Sequence, residues 1–279
     1  MKVQFAYAKM VQEVLHLCEE KATFLLQQCF KKKDVLSSRA FHSFLVFFGL
    51  DSIGIFQDHL IRVFASCGSL KKGMDFFQKC SFPSLYTWNA IIEAHVKSDC
   101  NDVAIQLFNQ LKQKSIDPDK FSYLPVLKAC SRLQDRRQGM MLHGELLYKG
   151  LETDNLIVNT LVDVYSKSGY IGDARNVFDS LPNKDVVTWN VMISGYVEIG
   201  LYVGAFELAD AMIDNNFILN EITYCCLLKA CSDKKVPKDN KYLIHEKVIR
   251  QGLDSVEIVR NSILDTYGKC GNLGVARRM

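Results

Sequence analysis

The chain has no apolar run approaching the ~20 residues that a membrane-spanning helix requires. It has only 5 prolines in 279 residues, below the usual ~5%, which favours a helical chain over a turn-rich one. Charge of one sign is also missing. Lys and Arg number 34 against 31 Asp and Glu, a net charge of +3, which neither announces nor excludes a nucleic-acid partner. Among the 10 cysteines no two stand in a C-x-x-C pair. A zinc ribbon or a thioredoxin-like site therefore lacks its basic unit, and free, buried thiols in a reducing compartment are expected. Met1 to Glu20 carries Glu13, Glu19 and Glu20. It resembles neither a secretory signal nor an acid-poor, Arg- and Ser-rich transit peptide.

What is present is a core-forming composition, 48% apolar and 23% charged, arranged in a long repeat. Trp88-Asn89 recurs as Trp189-Asn190, 101 residues later, and Cys29, Cys130 and Cys231 keep the same spacing. His42, His143 and His245 run 101 then 102, as do Gly49, Gly150 and Gly252, so one extra residue lies between Cys231 and His245. Each block divides into related units of 35, 31 and 35 residues. The units run 19–53, 54–84, 85–119, 120–154, 155–185, 186–220, 221–256 and an incomplete 257–279, with 1–18 outside the repeats.

Within a unit the pattern is two short amphipathic helices. Val158, Leu161, Val162 and Tyr165 lie at i, i+3, i+4, i+7, Ser168-Gly169 breaks the helix, and Ala174, Val177, Phe178 and Leu181 repeat the spacing. The twentieth position is small (Gly73, Ala104, Gly139, Ala174, Ala205, Ala276), which lets paired helices approach closely. Neither helix buries its face alone, so the units must stack. The expected fold is all-α, an α-solenoid of stacked antiparallel helix-turn-helix repeats forming a right-handed superhelix.

The runs V-V-T-W-N-V-M-I-S-G-Y (Val186 to Tyr196), L-Y-T-W-N-A-I-I (Leu85 to Ile92) and L-V-D-V-Y-S-K-S-G (Leu161 to Gly169) carry a family resemblance. So do D-A-R-N-V-F-D-S-L-P (Asp173 to Pro182) and L-K-A-C-S (Leu127 to Ser131, Leu228 to Ser232). With the alternation of unit lengths, the chain resembles pentatricopeptide-repeat proteins of the PLS subfamily of land-plant organelles. The resemblance implies single-stranded RNA read one base per unit by the fifth and last residues. Transferred by position, Asn89 pairs with Asp119, Asn159 with Asp185 and Asn190 with Asn220, while Asn261 lacks a partner.

Side-chain chemistry supports these positions independently. Asn forms helices poorly, yet it holds the fifth position in four of the seven units from Gly54 onward. Its amide can donate to the O2 shared by uracil and cytosine. Asp then accepts from uracil N3–H, whereas Asn can donate to cytosine N3. In the family's parallel orientation the target reads 5′-U-n-U-Y-n-Y-3′. The units 120–154 and 221–256, with Leu124 and Cys225 at the fifth position, are expected to set spacing or to contact a protein. Second residues Tyr86, Leu156, Val187 and Ile258 are placed to sandwich bases, with packing between units the competing role for the aliphatic ones. Thirteenth residues Lys97, Arg132, Lys167 and Lys269 follow the same side and suit phosphates, or are solvated surface residues; Glu198 breaks the series.

Sharper chemistry fails. His143-Gly144-Glu145 matches the H-x-E of zinc deaminases, but no P-C-x-x-C follows. Cys225 and Cys226 are expected to pack, and Trp88 and Trp189, about 100° round the helix from the reading Asn, to face the core. No catalytic residue, metal or cofactor is expected. The resemblance implies RNA-site recognition in a mitochondrion or chloroplast, with C-to-U editing performed by a DYW-type deaminase or other factor in trans, because the chain ends at Met279 without E or DYW extensions. The competing class is a protein-interaction solenoid.

Overall fold

The computed structural model describes Ser43 and residues 54–66, 68–233 and 235–270. Apart from Ser43, the expected unit 19–53, with Cys29, His42 and Gly49, lies outside them, as do Cys67 and 271–279. The described residues form thirteen α-helices and no strand. These are α1 (Gly54–Ser66), α2 (Leu70–Lys79), α3 (Leu85–Lys97), α4 (Asn101–Gln113), α5 (Lys120–Leu133), α6 (Arg136–Tyr148) and α7 (Asn155–Lys167). Then come α8 (Ile171–Ser180), α9 (Val186–Glu198), α10 (Tyr202–Asp214), α11 (Glu221–Cys231), α12 (Lys238–Arg250) and α13 (Glu257–Lys269). The fold is of the α-solenoid class, built from antiparallel helix pairs.

Two chemical devices set the helix ends. The residue before each first helix from α3 to α11 is an N-cap whose side chain accepts an orphan N–H. Ser84 takes Thr87 N–H, Asp119 takes Ser122 N–H at 2.9 Å, and Asp185 takes Thr188 N–H at 2.7 Å. Asp154 and Asn220 do the same for Ile157 and Thr223. Such a cap contributes about 1 kcal/mol. At the other end a left-handed residue turns the chain into the second helix: Gly68, Asp99, Gln134, Gly169 and Gly200 all have positive φ, at the fifteenth position of successive units. The offset between the starts of the paired helices is the same in every pair from α1–α2 to α9–α10. In α11–α12 it is longer by one, and the inserted residue is taken up before Lys238.

The chain divides into two compact units, Met1–Ala129 and Cys130–Met279. In the first, α1 packs on α2 and α3, and α3 on α4. Trp88 is 1% exposed and meets Phe77 edge-on, ring centroids 4.5 Å apart. In the second, first helices contact first helices in series, α7 with α9, α9 with α11 and α11 with α13, while α8, α10 and α12 pack behind them. Trp189 repeats the edge-on contact with Phe178 at 5.0 Å. Both tryptophans therefore sit in the core, where burying one contributes ~3 kcal/mol. The small twentieth residue is what permits this approach: a Cβ on Gly139 would stand 2.6 Å from Val164 Cγ1.

Candidate nucleic-acid interface

The fifth residue of a first helix lies just over one turn inside it, and the last residue of its unit is the N-cap of the next first helix. In units 85–119 and 186–220 the fold brings these two side chains together. Asn89 Nδ2 donates to Asp119 Oδ1 at 3.0 Å, and Asn190 Nδ2 donates to Asn220 Oδ1 at 3.1 Å. A hydroxyl from the third residue of the next unit closes each triad. Ser122 Oγ donates to Asn89 Oδ1, and Thr223 Oγ1 to Asn190 Oδ1, both at 2.6 Å.

Capping decides which atoms of the last residue remain available. Asp119 Oδ1 accepts from Ser122 N–H and from Asn89, so Oδ2 is left without a partner among the described residues, a bare acceptor. Asn220 must turn Oδ1 toward Thr223 N–H at 3.0 Å, which leaves Nδ2 free, a bare donor. The two triads share one geometry and end in opposite polarity. In each, one Nδ2–H of the fifth-position Asn is also unspent.

The third expected pair is not joined. Asn155 Nδ2, at the head of α7, donates to Asp185 Oδ2 at 3.1 Å, while Asp185 Oδ1 serves Thr188 N–H and, at 2.8 Å, the Thr188 hydroxyl. Burial alone would raise the Asp185 pKa, but hydrogen bonds from Thr188 N–H, Asn155, the Thr188 hydroxyl and Val187 N–H outweigh it and hold the carboxyl below its ordinary value. Asn159 is buried, and its Oδ1 has no partner among the described residues. The shorter unit does not forbid the contact. In 54–84, a unit of the same short kind, the fifth residue Asp58 accepts from Ser84 N–H at 3.3 Å. The competitor is Asn155, at a position held by Leu85 and Val186 in the two units whose pairs are joined. Asn261 is exposed on α13, and the residues that would end its unit lie outside those described.

The expected sandwiching residues Tyr86, Leu156, Val187 and Ile258 are all exposed, Tyr86 at 71% and Ile258 at 55%. Packing between units is thus not what holds them apolar. Phe121 and Ile222, second residues of the units set aside as spacers, are exposed in the same way, at 58% and 51%. Sequence reasoning passed them over because it weighed those units by Leu124 and Cys225 alone; the recurrence of an apolar second residue would have found them.

The basic thirteenth residues differ from a free phosphate stripe. Lys97 pairs with Glu93 at 2.6 Å, Lys167 with Asp163 at 2.9 Å and Lys269 with Asp265 at 2.6 Å, each one helical turn along an exposed face. Arg132 is exposed and stands one turn from Lys128, so only that unit carries two cations at these offsets. Exposed i,i+4 pairs hold by only ~0.5 kcal/mol, so each lysine brings its own counter-ion yet can exchange it.

Elsewhere His143 Nδ1 meets the Tyr165 hydroxyl at 3.0 Å and His245 Nδ1 meets that of Tyr267 at 2.8 Å, a repeated packing contact. Burial lowers the pKa of both histidines. Cys130 and Cys231 are buried and their thiols are pushed up to about 12. No cluster of metal-ligating side chains occurs among the described residues. A cleft of about 550 Å³ bordered by Tyr202, Phe206, Val236 and Pro237 contains none of the triad residues.

Family models for the PPR repeat family match residues 83–132 and 184–233, and one for the PPR repeat matches 157–186. A chloroplastic pentatricopeptide repeat-containing protein of Arabidopsis thaliana is 30% identical over 255 residues, covering 90% of this chain and 47% of the relative. A mitochondrial one from the same plant is 28% identical over 255 residues, covering 91% and 40%. The chain thus spans less than half the length of either relative. The crystal structure of the pentatricopeptide repeat protein PPR10 in complex with an 18-nt psaJ RNA element is 14% identical, covering 86% of this chain and 46% of that one, with a TM-score of 0.43. By its repeated motifs and the family models that match them, the chain carries pentatricopeptide repeats over residues 83–132, 157–186 and 184–233.

Proposed function

We propose that the chain binds single-stranded RNA base by base and so selects a site for organellar RNA processing, with no chemistry of its own. The observation that carries this reading is the polarity of the two triads. An Asn amide that can donate to pyrimidine O2 stands beside an acceptor at Asp119 and beside a donor at Asn220, which suits uracil N3–H and cytosine N3 respectively. Exposed apolar second residues supply stacking surfaces. The target is 5′-U-n-U-Y-n-Y-3′, with the middle U read most weakly because Asn155 competes for Asp185. Organellar residence follows the chloroplastic and mitochondrial relatives. C-to-U editing, with a DYW-type deaminase outside these residues supplying the chemistry, is the process proposed.

The test is binding of labelled single-stranded RNAs carrying U-n-U-Y-n-Y or its purine-substituted form, at two salt concentrations. A preference that persists as affinity falls with salt supports base reading, because phosphate contacts alone are salt-dependent and sequence-blind. Equal binding of both RNAs refutes it and favours a protein-interaction solenoid.

A further inference from the structure

We infer that Ser122 and Thr223, each the third residue of a unit, are positioning residues that fix which edge of the preceding unit's Asn faces the RNA. This rests on the base reading proposed above.

The chain of constraint starts at a backbone donor. Thr223 N–H needs a cap, so Asn220 Oδ1 turns toward it at 3.0 Å. That oxygen can accept only a donor from Asn190, so Asn190 offers Nδ2, at 3.1 Å. Asn190 Oδ1 must then lie on the opposite side of its amide, where the Thr223 hydroxyl donates to it at 2.6 Å. The hydroxyl's own acceptor capacity faces Asn220 N–H at 3.3 Å. The hydroxyl also lies 2.9 Å from Asn220 Oδ1, but that oxygen already accepts from Thr223 N–H and Asn190, so its proton goes to the shorter contact with Asn190 Oδ1, and the one Asn190 proton left over is a donor. A bare Asn amide can flip end for end and present oxygen instead; here the flip would set Oδ1 against Asn220 Oδ1 and Nδ2 against the hydroxyl. Ser122 repeats the arrangement, at 2.6 Å to Asn89 Oδ1 and with Asp119 N–H donating to it at 3.3 Å.

The sequence follows the same logic. Where the fifth residue is Asp58, Asn89, Asn159 or Asn190, the third residue of the next unit is Thr87, Ser122, Thr188 or Thr223. Where the fifth residue is Leu124 or Cys225, the third residue of the next unit is aliphatic, Ile157 or Val259. If the hydroxyls were needed only for capping, Asp154 would serve as well beside a Thr as beside Ile157, and the correlation would have no cause. Thr188 is the exception: like Ser122 and Thr223 its hydroxyl reaches the capping Oδ1, here of Asp185, but it makes no bond to the preceding unit's Asn, and Asn159 Oδ1 is left without a partner among the described residues.

The test replaces Thr223 by Val, which keeps the branched shape in a fully buried site, and Ser122 by Ala. Thr223→Ser is the rescue. RNAs substituted one nucleotide at a time report preference per position, and the side-chain amide protons of Asn190 and Asn89 report orientation in the RNA-free chain by NMR. Thr223→Val should lower the pyrimidine-over-purine ratio at the nucleotide facing Asn190 on the order of tenfold. The ratio at the nucleotide facing Asn89 should stay unchanged, Ser122→Ala should do the converse, and Thr223→Ser should restore the native ratio. An equal loss at both nucleotides, or none at either beside a native preference, overturns the inference. Should the native chain show no preference, base reading fails, and the amide resonances still decide the positioning: they shift on Thr223→Val if the hydroxyl holds Asn190 and stay put if it does not.

Discussion

Asn220→Asp isolates recognition from folding. Asp and Asn are nearly equal N-caps, and Oδ1 keeps its place toward Thr223 N–H at 3.0 Å and Asn190 Nδ2 at 3.1 Å. The folding free energy should therefore change by no more than about 0.5 kcal/mol, against a loss of about 1 kcal/mol for Asn220→Ala, which removes the cap. The outward atom changes from an N–H donor to a carboxylate acceptor. Facing cytosine N3, that places acceptor against acceptor; facing uracil N3–H, it makes a charge-assisted bond. One matched hydrogen bond exchanged for a buried mismatch is worth ~1–3 kcal/mol. Asn220 is only half-buried, so the lower end applies, and the cytosine-to-uracil ratio at that nucleotide should fall about tenfold. The added charge also weakens binding to every RNA, so the ratio is read rather than the affinity. Asp119→Asn should move the ratio at its own nucleotide the other way. Fluorescence anisotropy on RNAs differing at one position measures both, with thermal unfolding as the control for folding. An unchanged ratio in Asn220→Asp, beside the stability loss in Asn220→Ala, would mean the last residue is a helix cap and nothing more.

Gly139→Ala sets a methyl 2.6 Å from Val164 Cγ1 and should destabilise by about 1–3 kcal/mol, seen as a lower urea midpoint, with Gly139→Ala/Val164→Ala recovering part of it. Gln134 holds φ at 55°, so Gln134→Gly should stabilise by about 0.5–1 kcal/mol by removing the left-handed strain, provided the turn is kept. His143 and His245 have pKa values lowered from 6.5 by burial. Their neutral forms support the fold above that value, so the melting temperature should fall as pH drops below 6.5, and less steeply in His143→Gln. Cys130 and Cys231, with thiols pushed up to about 12, should resist alkylation in the native chain at about pH 8 while the exposed Cys100 reacts; mass spectrometry reads the difference.

The helices were legible because their ends are written in short-range chemistry. A capping Asp, Asn or Ser precedes each first helix of 85–119, 120–154, 155–185, 186–220 and 221–256, and a residue able to adopt positive φ follows at the fifteenth position of the first four. Periodicity then assigns the buried faces, which is why Trp88 and Trp189 were expected in the core and lie there. The contacts Asn89–Asp119 and Asn190–Asn220 join positions paired in the sequence, but the bonding of the third pair was not legible there. That Asn155 takes Asp185 from Asn159 depends on distances between residues far apart in the chain; in the two units whose pairs are joined the first residue is the apolar Leu85 or Val186. The counter-ions of Lys97, Lys167 and Lys269 were visible, one helical turn upstream at Glu93, Asp163 and Asp265. They were missed because the thirteenth position was weighed alone.

The same atoms that end one unit begin the next, and this double duty accounts for the Ser, Asp or Asn at the last position of each unit from Ser84 to Asn220. A capping side chain must accept from a backbone N–H, which selects Asp, Asn, Ser and Thr on grounds of folding alone. Capping consumes one terminal atom of the side chain. Ser84 has a single oxygen, which accepts from Thr87 N–H and stands 3.2 Å from the Thr87 hydroxyl, so it has no second terminal atom to offer a base, and Val256 caps nothing. Asp119 and Asn220 each have a second terminal atom, an oxygen in one and a nitrogen in the other, carried by nearly the same skeleton. Exchanging them is close to neutral for the helix and inverts the hydrogen-bonding polarity presented to a ligand. On the proposed base reading, such an exchange changes the base preferred at one unit without changing how that unit folds.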